Sequence, residues 1–348
     1  MTLQSPASGL PDQIAISDAE LAPFLSGSDP ASKAHGLLLH QKQHWDLLRT
    51  GYNSLAQVRT RSFEFDGFQI KVQFNPGRLT STAAKVDPAS IRERKCFLCL
   101  ESLPPAQRGF ACDSAYLLLC NPFPIFPEHF TISHFRHIPQ LIRGSFATFL
   151  NFTRELGSRY TVFYNGPKCG ASAPDHLHLQ AGLRSFVPID TEYHALTRHP
   201  VTRLFESGSL RVLCVDKYLR HFISFESSDA GVLLSALTAL HEALRDGVSE
   251  GEPMLNILGF YSDRAWRILV FPRARHRPSF YFNEGPDKLL ISPAAVELGG
   301  VCTTPREEDF EKVTREHLVQ MFNEVSVSRE AFNAIKARLA PKLAGLNA

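Results

Sequence analysis

The sequence predicts an α+β protein in which one strand–strand–helix–strand–strand unit occurs twice, and three observations carry that expectation. Residues 115–135 read as strand, proline-rich turn and strand (YLLLC, NPFPIFPEH, FTIS). A helix follows over 139–156 with apolar Leu141, Ile142, Phe146, Phe149 and Leu150, then strands near 159–165 and 176–182. The order returns later in the chain: strands near 210–216 and 220–225, a helix over 229–246, then the pair MLNILGFY and RAWRILVFP. The third observation is the alternating run His176-Leu177-His178-Leu179-Gln180, present in the first unit and missing from the second.

The remaining segments flank these units. Residues 1–35, rich in Ser, Pro, Ala and Asp, read as a loose arm with a short helix near Asp18–Leu25, and 36–58 as a surface helix. Arg61 to Phe74 alternates as one or two strands before Asn75-Pro76-Gly77-Arg78 breaks the pattern. A helical stretch is expected near 190–207, and a helical tail over 306–340. The domain reading is an N-terminal arm and helix (1–58), a site-bearing half (59–208), and a degenerate half with C-terminal helices (209–348).

Composition narrows the class. A chain of 348 residues with 44% hydrophobic and 21% charged residues is an ordinary globular protein. A formal net charge of +2 argues against a nucleic-acid-wrapping surface, so any basic function is local. No basic-then-apolar leader and no apolar run of about 20 residues is present, which argues against a signal peptide or a membrane span. Seven cysteines, an odd number, do not look like a disulfide framework; a reducing, cytoplasmic setting is expected.

The chemistry concentrates at 163–182, FYNGPKCGASAPDHLHLQAG. In an extended strand His176, His178 and Gln180 share one face, while Leu177 and Leu179 turn to the core. Two imidazoles and an amide beside a glycine-rich loop can hold and attack a phosphate; the alternative is two core histidines and an exposed Gln. The loop offers Gly166 and Gly170 for close backbone approach, the Ser172 hydroxyl, and Lys168, which can equally be a solvated charge. Asn165 either orients an imidazole or caps the turn. Cys96 and Cys99 form a C-x2-C pair suited to zinc, with buried thiols or a redox pair as alternatives. Two basic clusters suit phosphate oxygens or solvent: Asn75, Arg78 and Lys85, and Arg273, Arg275, His276 and Arg277. His129 can lie near a ligand or serve the turn, and the NPFPIF run reads as core packing.

The string Asn165-Gly166, Gly170-Ala171-Ser172, His176-x-His178-x-Gln180 resembles the histidine-triad superfamily. It is most similar to the branch with a terminal glutamine, which includes galactose-1-phosphate uridylyltransferase, diadenosine tetraphosphate phosphorylase and the GDP-hexose phosphorylases. Asn121–Ile125, Pro127–Phe130, Arg136-His137, Leu290–Ala295, Gly299-Gly300 and Pro305–Phe310 extend the resemblance over roughly 60–325. It implies a duplicated fold, each half an antiparallel sheet with a helix. It also implies His178 as nucleophile toward an α-phosphorus, with Gln180 donating to a non-bridging oxygen. A structural zinc on Cys96, Cys99, His137 and His176 is implied as well, with His134 as substitute for His137. Three residues, Ala173, Pro174 and Asp175, stand between Ser172 and His176 where the uridylyltransferase pattern has two, so that enzyme's sugar specificity does not carry over.

The function expected from the resemblance is nucleotidyl transfer or phosphorolysis of a nucleoside diphosphate sugar or dinucleoside polyphosphate, by way of a nucleotidyl-histidine. The partners would be that nucleotide and a phosphate or sugar phosphate acceptor, with neither nucleic acid nor membrane. A hydrolase using the same intermediate and a non-catalytic nucleotide sensor are the alternatives. Base, sugar and acceptor are open, as is the choice between monomer and homodimer.

Overall fold

Ten strands form one continuous antiparallel sheet in the computed structural model, which describes residues 13–83, 87–113, 115–197, 201–216, 218–245 and 251–347. In chain order the strands are β1 (Arg59–Phe65), β2 (Phe68–Phe74), β3 (Gly109–Cys112), β4 (Tyr116–Cys120), β5 (His129–His134), β6 (Tyr160–Asn165), β7 (His178–Leu183), β8 (Thr202–Ser207), β9 (Leu210–Val215), β10 (Phe222–Ser227), β11 (Leu255–Ser262), β12 (Ala265–Pro272) and β13 (Val301–Thr304). The large sheet runs β3-β4-β5-β7-β6-β11-β12-β10-β9-β8; β1, β2 and β13 make a separate three-stranded sheet. The order reads the same from both edges: β4-β5-β7-β6 is matched by β9-β10-β12-β11, with β3 and β8 outermost. Each half places its helix, Phe146–Leu156 or Ala230–Arg245, between its second and third strands in chain order, β5 and β6 or β10 and β11.

The repeated unit is therefore real, but the halves do not keep separate sheets. β6 and β11 pair antiparallel from Val162↔Gly259 to Asn165↔Asn256 and fuse them. Every residue of β6 is buried, so a free edge there would leave unpaired backbone in an apolar setting, and pairing removes it.

Both faces of the large sheet are covered, which is why its central strands are apolar on both sides. On one face Val162, Tyr164, Leu177, Leu179, Ala181, Ile257, Ile268 and Val270 pack with Phe146, Phe149, Leu233, Leu237 and Leu339. On the other, Phe163, Leu258, Phe260, Leu269 and Phe271 meet Ile70 and Val72 of β2, Val301 of β13 and Tyr193, Leu298 and Phe322. The site lies on this second face.

Several expectations need correction. Residues 36–58 are not one surface helix. They contribute to two, Pro30–His44 and Asp46–Leu55, broken where buried Trp45 adopts an extended conformation; Leu37, Leu38 and Leu48 are in the core. Among the described residues, the stretch 190–207 is helical over Pro188–Leu196 and no further; Thr202–Ser207 is β8, which turns at Gly208 (φ +56°) into β9. That hairpin straddles the expected 208/209 boundary. The first-half helix begins at Phe146 rather than 139. The tail is three helices, Glu307–Lys312, Arg315–Val325 and Arg329–Ala344. No helix among the described residues is long and apolar enough to cross a membrane, and all seven cysteines are free.

Candidate active site

β7 lies between β5 and β6, with Thr131 and Phe163 both paired to Gln180 and Ser133 paired to His178. Alternation sends Leu177 and Leu179 toward the helices and His178 and Gln180 into a cavity of about 600 Å³ on the opposite face. His176 does not share that face, as strand periodicity predicts, because the strand starts only at His178. The His178 ring is buried, and its Nδ1 lies 2.8 Å from the His176 carbonyl oxygen. A carbonyl only accepts, so Nδ1 carries the proton and Nε2 keeps the lone pair. Burial pulls the ring's pKa down to about 4, against the smaller upward pull of the His176 carbonyl, so the imidazole is neutral at pH 7.

Gln140, which carries no sequence signal, holds this residue by its main chain. It accepts from His178 N at 2.7 Å and donates to His178 O and Asn165 O, both at 3.0 Å. Pairing of β6 with β7 ends at Phe163↔Gln180, and the Gln140 amide bridges the gap where the strands part. His129, undecided from sequence, sets Gln180. Its Nδ1 accepts from Ile125 N (3.3 Å), so Nε2 donates to Gln180 Oε1 (3.1 Å) and leaves the Gln180 NH2 as donor. Burial lowers the His129 pKa to about 3, keeping this ring neutral too.

The glycine loop closes one wall. Gly170 has φ +95°, and a Cβ there would stand 2.6 Å from Ala294 Cβ, so only glycine lets the loop approach this segment. Gly170, Ser172, Asn165 and Arg78 line the cavity. Arg78 donates to Phe123 O at 2.7 Å; burial lowers its pKa to about 10, which leaves it charged at neutral pH. Asn165 Oδ1 accepts from Asn256 Nδ2 (2.8 Å) and Ala295 N (2.9 Å), pinning the fused strands to the second half.

Four expected ligand-binding residues are absent from the lining. Lys168 is exposed on the loop's outer side. The Asn75 amide is used on Gln73 Oε1 and Pro124 O. Arg273 reaches the expected end of β12 but is buried as a brace, donating to Asn256 Oδ1 and the carbonyls of Pro293, Val325, Arg275 and His276. Arg275 is exposed, 3.7 Å from Glu324. Lys85 lies outside the described residues. His276 and Arg277 from the same cluster do line the cavity, Arg277 donating to Ser292 Oγ at 2.9 Å, and so does Arg94, which sequence reasoning passed over.

Beside the cavity, Cys96, Cys99, His137 and His176 bring their ligand atoms within 4.8 Å of one another. Sγ of Cys96 is 3.3 Å from His176 Nδ1, and Sγ of Cys99 is 3.2 Å from His137 Nδ1 and 3.6 Å from His176 Nδ1. Tetrahedral bonds of about 2.3 Å to sulfur and 2.1 Å to nitrogen require S···N edges of about 3.6 Å, so the donors fit one metal ion with a small expansion. His176 Nε2 donates to His134 O at 2.7 Å, which turns its Nδ1 lone pair toward the sulfurs. His134 is not in the cluster; its Nδ1 is engaged by the Arg136 main chain. Burial, with the neighbouring Cys96 sulfur, pushes the Cys99 thiol up to about 12, so a metal would have to displace its proton. The cluster can bind a metal ion.

Residues 37–183 match a family model described as a domain of unknown function (DUF4922), and residues 195–344 match one described as GDPGP1-like, C-terminal domain. No curated protein sequence matches the chain. Among solved structures, yeast Ap4A phosphorylase Apa2 aligns with a TM-score of 0.52 at 21% identity, covering 82% of this chain and 97% of that one. The same yeast protein in complex with Ap4A aligns with a TM-score of 0.51 at 20% identity, covering 81% and 97%. Its complex with AMP gives 0.51 at 21%, covering 80% and 93%. The yeast phosphorylase shares the fold of this chain, and the second family model covers its degenerate half. With the His-x-His-x-Gln strand in place, the chain carries the fold of the yeast phosphorylase and, over residues 195–344, matches the GDPGP1-like C-terminal model.

Proposed function

We propose that the chain is a nucleotidyltransferase of the phosphorylase type, acting on a nucleoside diphosphate sugar or a dinucleoside polyphosphate. The observation that carries this reading is the His178 ring: neutral, proton held at Nδ1 by a main-chain carbonyl, and lining the cavity with its other nitrogen unprotonated. Nε2 attacks the α-phosphorus, a P–N bond forms, and the bond to the leaving sugar phosphate or nucleotide breaks. Such leaving groups are stable as anions, so no strong general acid is required. Inorganic phosphate or a sugar phosphate then attacks the same phosphorus from the vacated side and releases His178, a two-step displacement with ping-pong kinetics. Gln180, oriented by His129, donates to a non-bridging oxygen without supplying an acidic proton. Arg78, Arg277 and Ser172 receive the remaining phosphate charge.

The Cys/His cluster supports a structural zinc. Cys96, Cys99, His137 and His176 would hold it, tying the turn before β7 to the 96–99 segment and so fixing where the strand with His178 begins. Free thiols throughout and a thiolate-rich metal site suit a reducing, cytoplasmic setting.

The reading is tested by incubating the protein with GDP-hexose, UDP-hexose and diadenosine tetraphosphate, with and without inorganic phosphate. Phosphate-dependent release of a nucleoside diphosphate from at least one substrate is expected. Turnover indifferent to phosphate or any sugar phosphate would instead make the chain a hydrolase, and no turnover of any substrate would overturn the proposal.

A further inference from the structure

Asp175 is one of the three residues between Ser172 and His176, and its carboxylate faces two ways. Oδ1 accepts from Arg94 Nη2 at 2.8 Å, and Oδ2 is 3.5 Å from His137 Nε2. His137 Nδ1 is the atom turned to Cys99. Arg94 lines the cavity that holds His178 and Ser172, its Nη2 is also 3.4 Å from Ser172 O, and its guanidinium carbon is 5.4 Å from the Phe97 ring centre. Its second terminal nitrogen, Nη1, is buried and has no hydrogen-bond partner among the described residues. Thus a cavity arginine, a carboxylate and a metal-site histidine form one chain of contacts.

We infer that Arg94 is an anion-binding residue of the cavity and that Asp175 is a positioning residue coupling it to the Cys/His cluster. The inference rests on the proposed function for what the anion is: the phosphate chain of a nucleotide. A carboxylate behind a metal-binding imidazole accepts its N–H, fixing the tautomer and ring plane and raising ligand basicity. Two thiolates balance a divalent cation, so the filled cluster is neutral and takes nothing from the charge of Asp175. That charge holds Arg94 by one nitrogen and leaves the guanidinium's other donors for phosphate. With the metal gone, His137, whose side chain is 44% exposed, loses its anchor at Nδ1, Asp175 loses one of its two contacts, and Arg94 loses its fixed position. Metal occupancy, outside the cavity, thereby sets nucleotide affinity inside it.

The test measures two affinities on the full chain: Co2+ binding, followed by its thiolate charge-transfer absorption, and binding of ADP, GDP and UDP by calorimetry at saturating zinc. In Arg94→Gln, nucleoside diphosphate affinity is expected to fall about tenfold to a hundredfold with Co2+ affinity unchanged. In Asp175→Ala, Co2+ affinity is expected to fall about 10–100-fold together with nucleotide affinity. Asp175→Asn keeps an acceptor for His137 but loses the charge facing Arg94, so nucleotide affinity falls and Co2+ affinity stays within about threefold. It also guards against misfolding in the alanine variant. The double variant Arg94→Gln/Asp175→Asn should bind nucleotide no more weakly than the weaker single variant. Additive losses, or a wild type whose nucleotide affinity is the same with and without bound metal, would overturn the coupling. A wild type that binds none of the three nucleotides would overturn the proposed function and this inference with it. One that binds them and is indifferent to both substitutions would overturn this inference alone.

Discussion

Replacing Gln140 by leucine removes a side chain that bridges β6 and β7 where they part. Gln140 is fully buried, and leucine fits its volume closely enough that no large cavity should open. What is lost is pairing: His178 N–H keeps no acceptor at 2.7 Å, and the carbonyls of His178 and Asn165 each lose a donor at 3.0 Å. An orphaned buried N–H costs about 1–3 kcal/mol and each lost carbonyl partner somewhat less, so about 2–5 kcal/mol of stability should disappear. The nucleophile should also suffer, because its ring hangs from the peptide that Gln140 fixes, and misplacement by about 1 Å can cost a hundredfold in rate. Urea denaturation measures the first effect, and the rate of single-turnover release of the leaving group measures the second. A variant within about 0.5 kcal/mol of wild type and reacting at the same rate would refute this view of how His178 is held.

Other outcomes follow from the same structure. Burial pushes the Glu252 carboxyl up to about 7, so the folded state binds more protons than the unfolded between about pH 4.5 and 7. Stability from this group is lost as pH rises through that window, about 3 kcal/mol in all; the stability difference between wild type and Glu252→Gln should shift by that amount between pH 4.5 and 8 in urea titrations. A flat difference contradicts the assignment. In Gly182→Ala the new Cβ would stand 2.4 Å from the Phe126 ring, so a loss of about 1–3 kcal/mol is expected in the same assay, and a neutral variant would mean the ring yields freely. Metal analysis should find one zinc per chain, retained by wild type and lost from Cys99→Ser with a lower melting temperature; an equal metal content in both would remove Cys99 from the ligand set.

What could be read from sequence was whatever repeats with a short period or sits within a few residues. Alternation along Leu177–Gln180 placed the leucines against the helices and His178 and Gln180 on the working face, since side-chain direction in a strand is set locally. The order of strands and helices disclosed the repeated unit. Fusion of the two sheets did not show, because edge pairing depends on which apolar strands meet in space. Arg273 illustrates the harder limit: its distance along the chain from β12 is right, yet five acceptors around it turn a candidate phosphate ligand into a brace. Gln140 and Arg94 act through partners 25 to 81 residues away, and a lone glutamine or arginine carries no pattern that announces this. The Cys/His set likewise draws on three separated segments, so residue type and spacing alone offered only Cys96 and Cys99.

The most direct test of the account is to quench the protein in base during reaction with its nucleotide substrate and locate any adduct by peptide mass spectrometry. A nucleoside monophosphate on His178, absent from His178→Gly and discharged by added phosphate, is the predicted result. A turning-over enzyme whose His178 peptide stays unmodified at every time point, or an adduct on another residue, would contradict it.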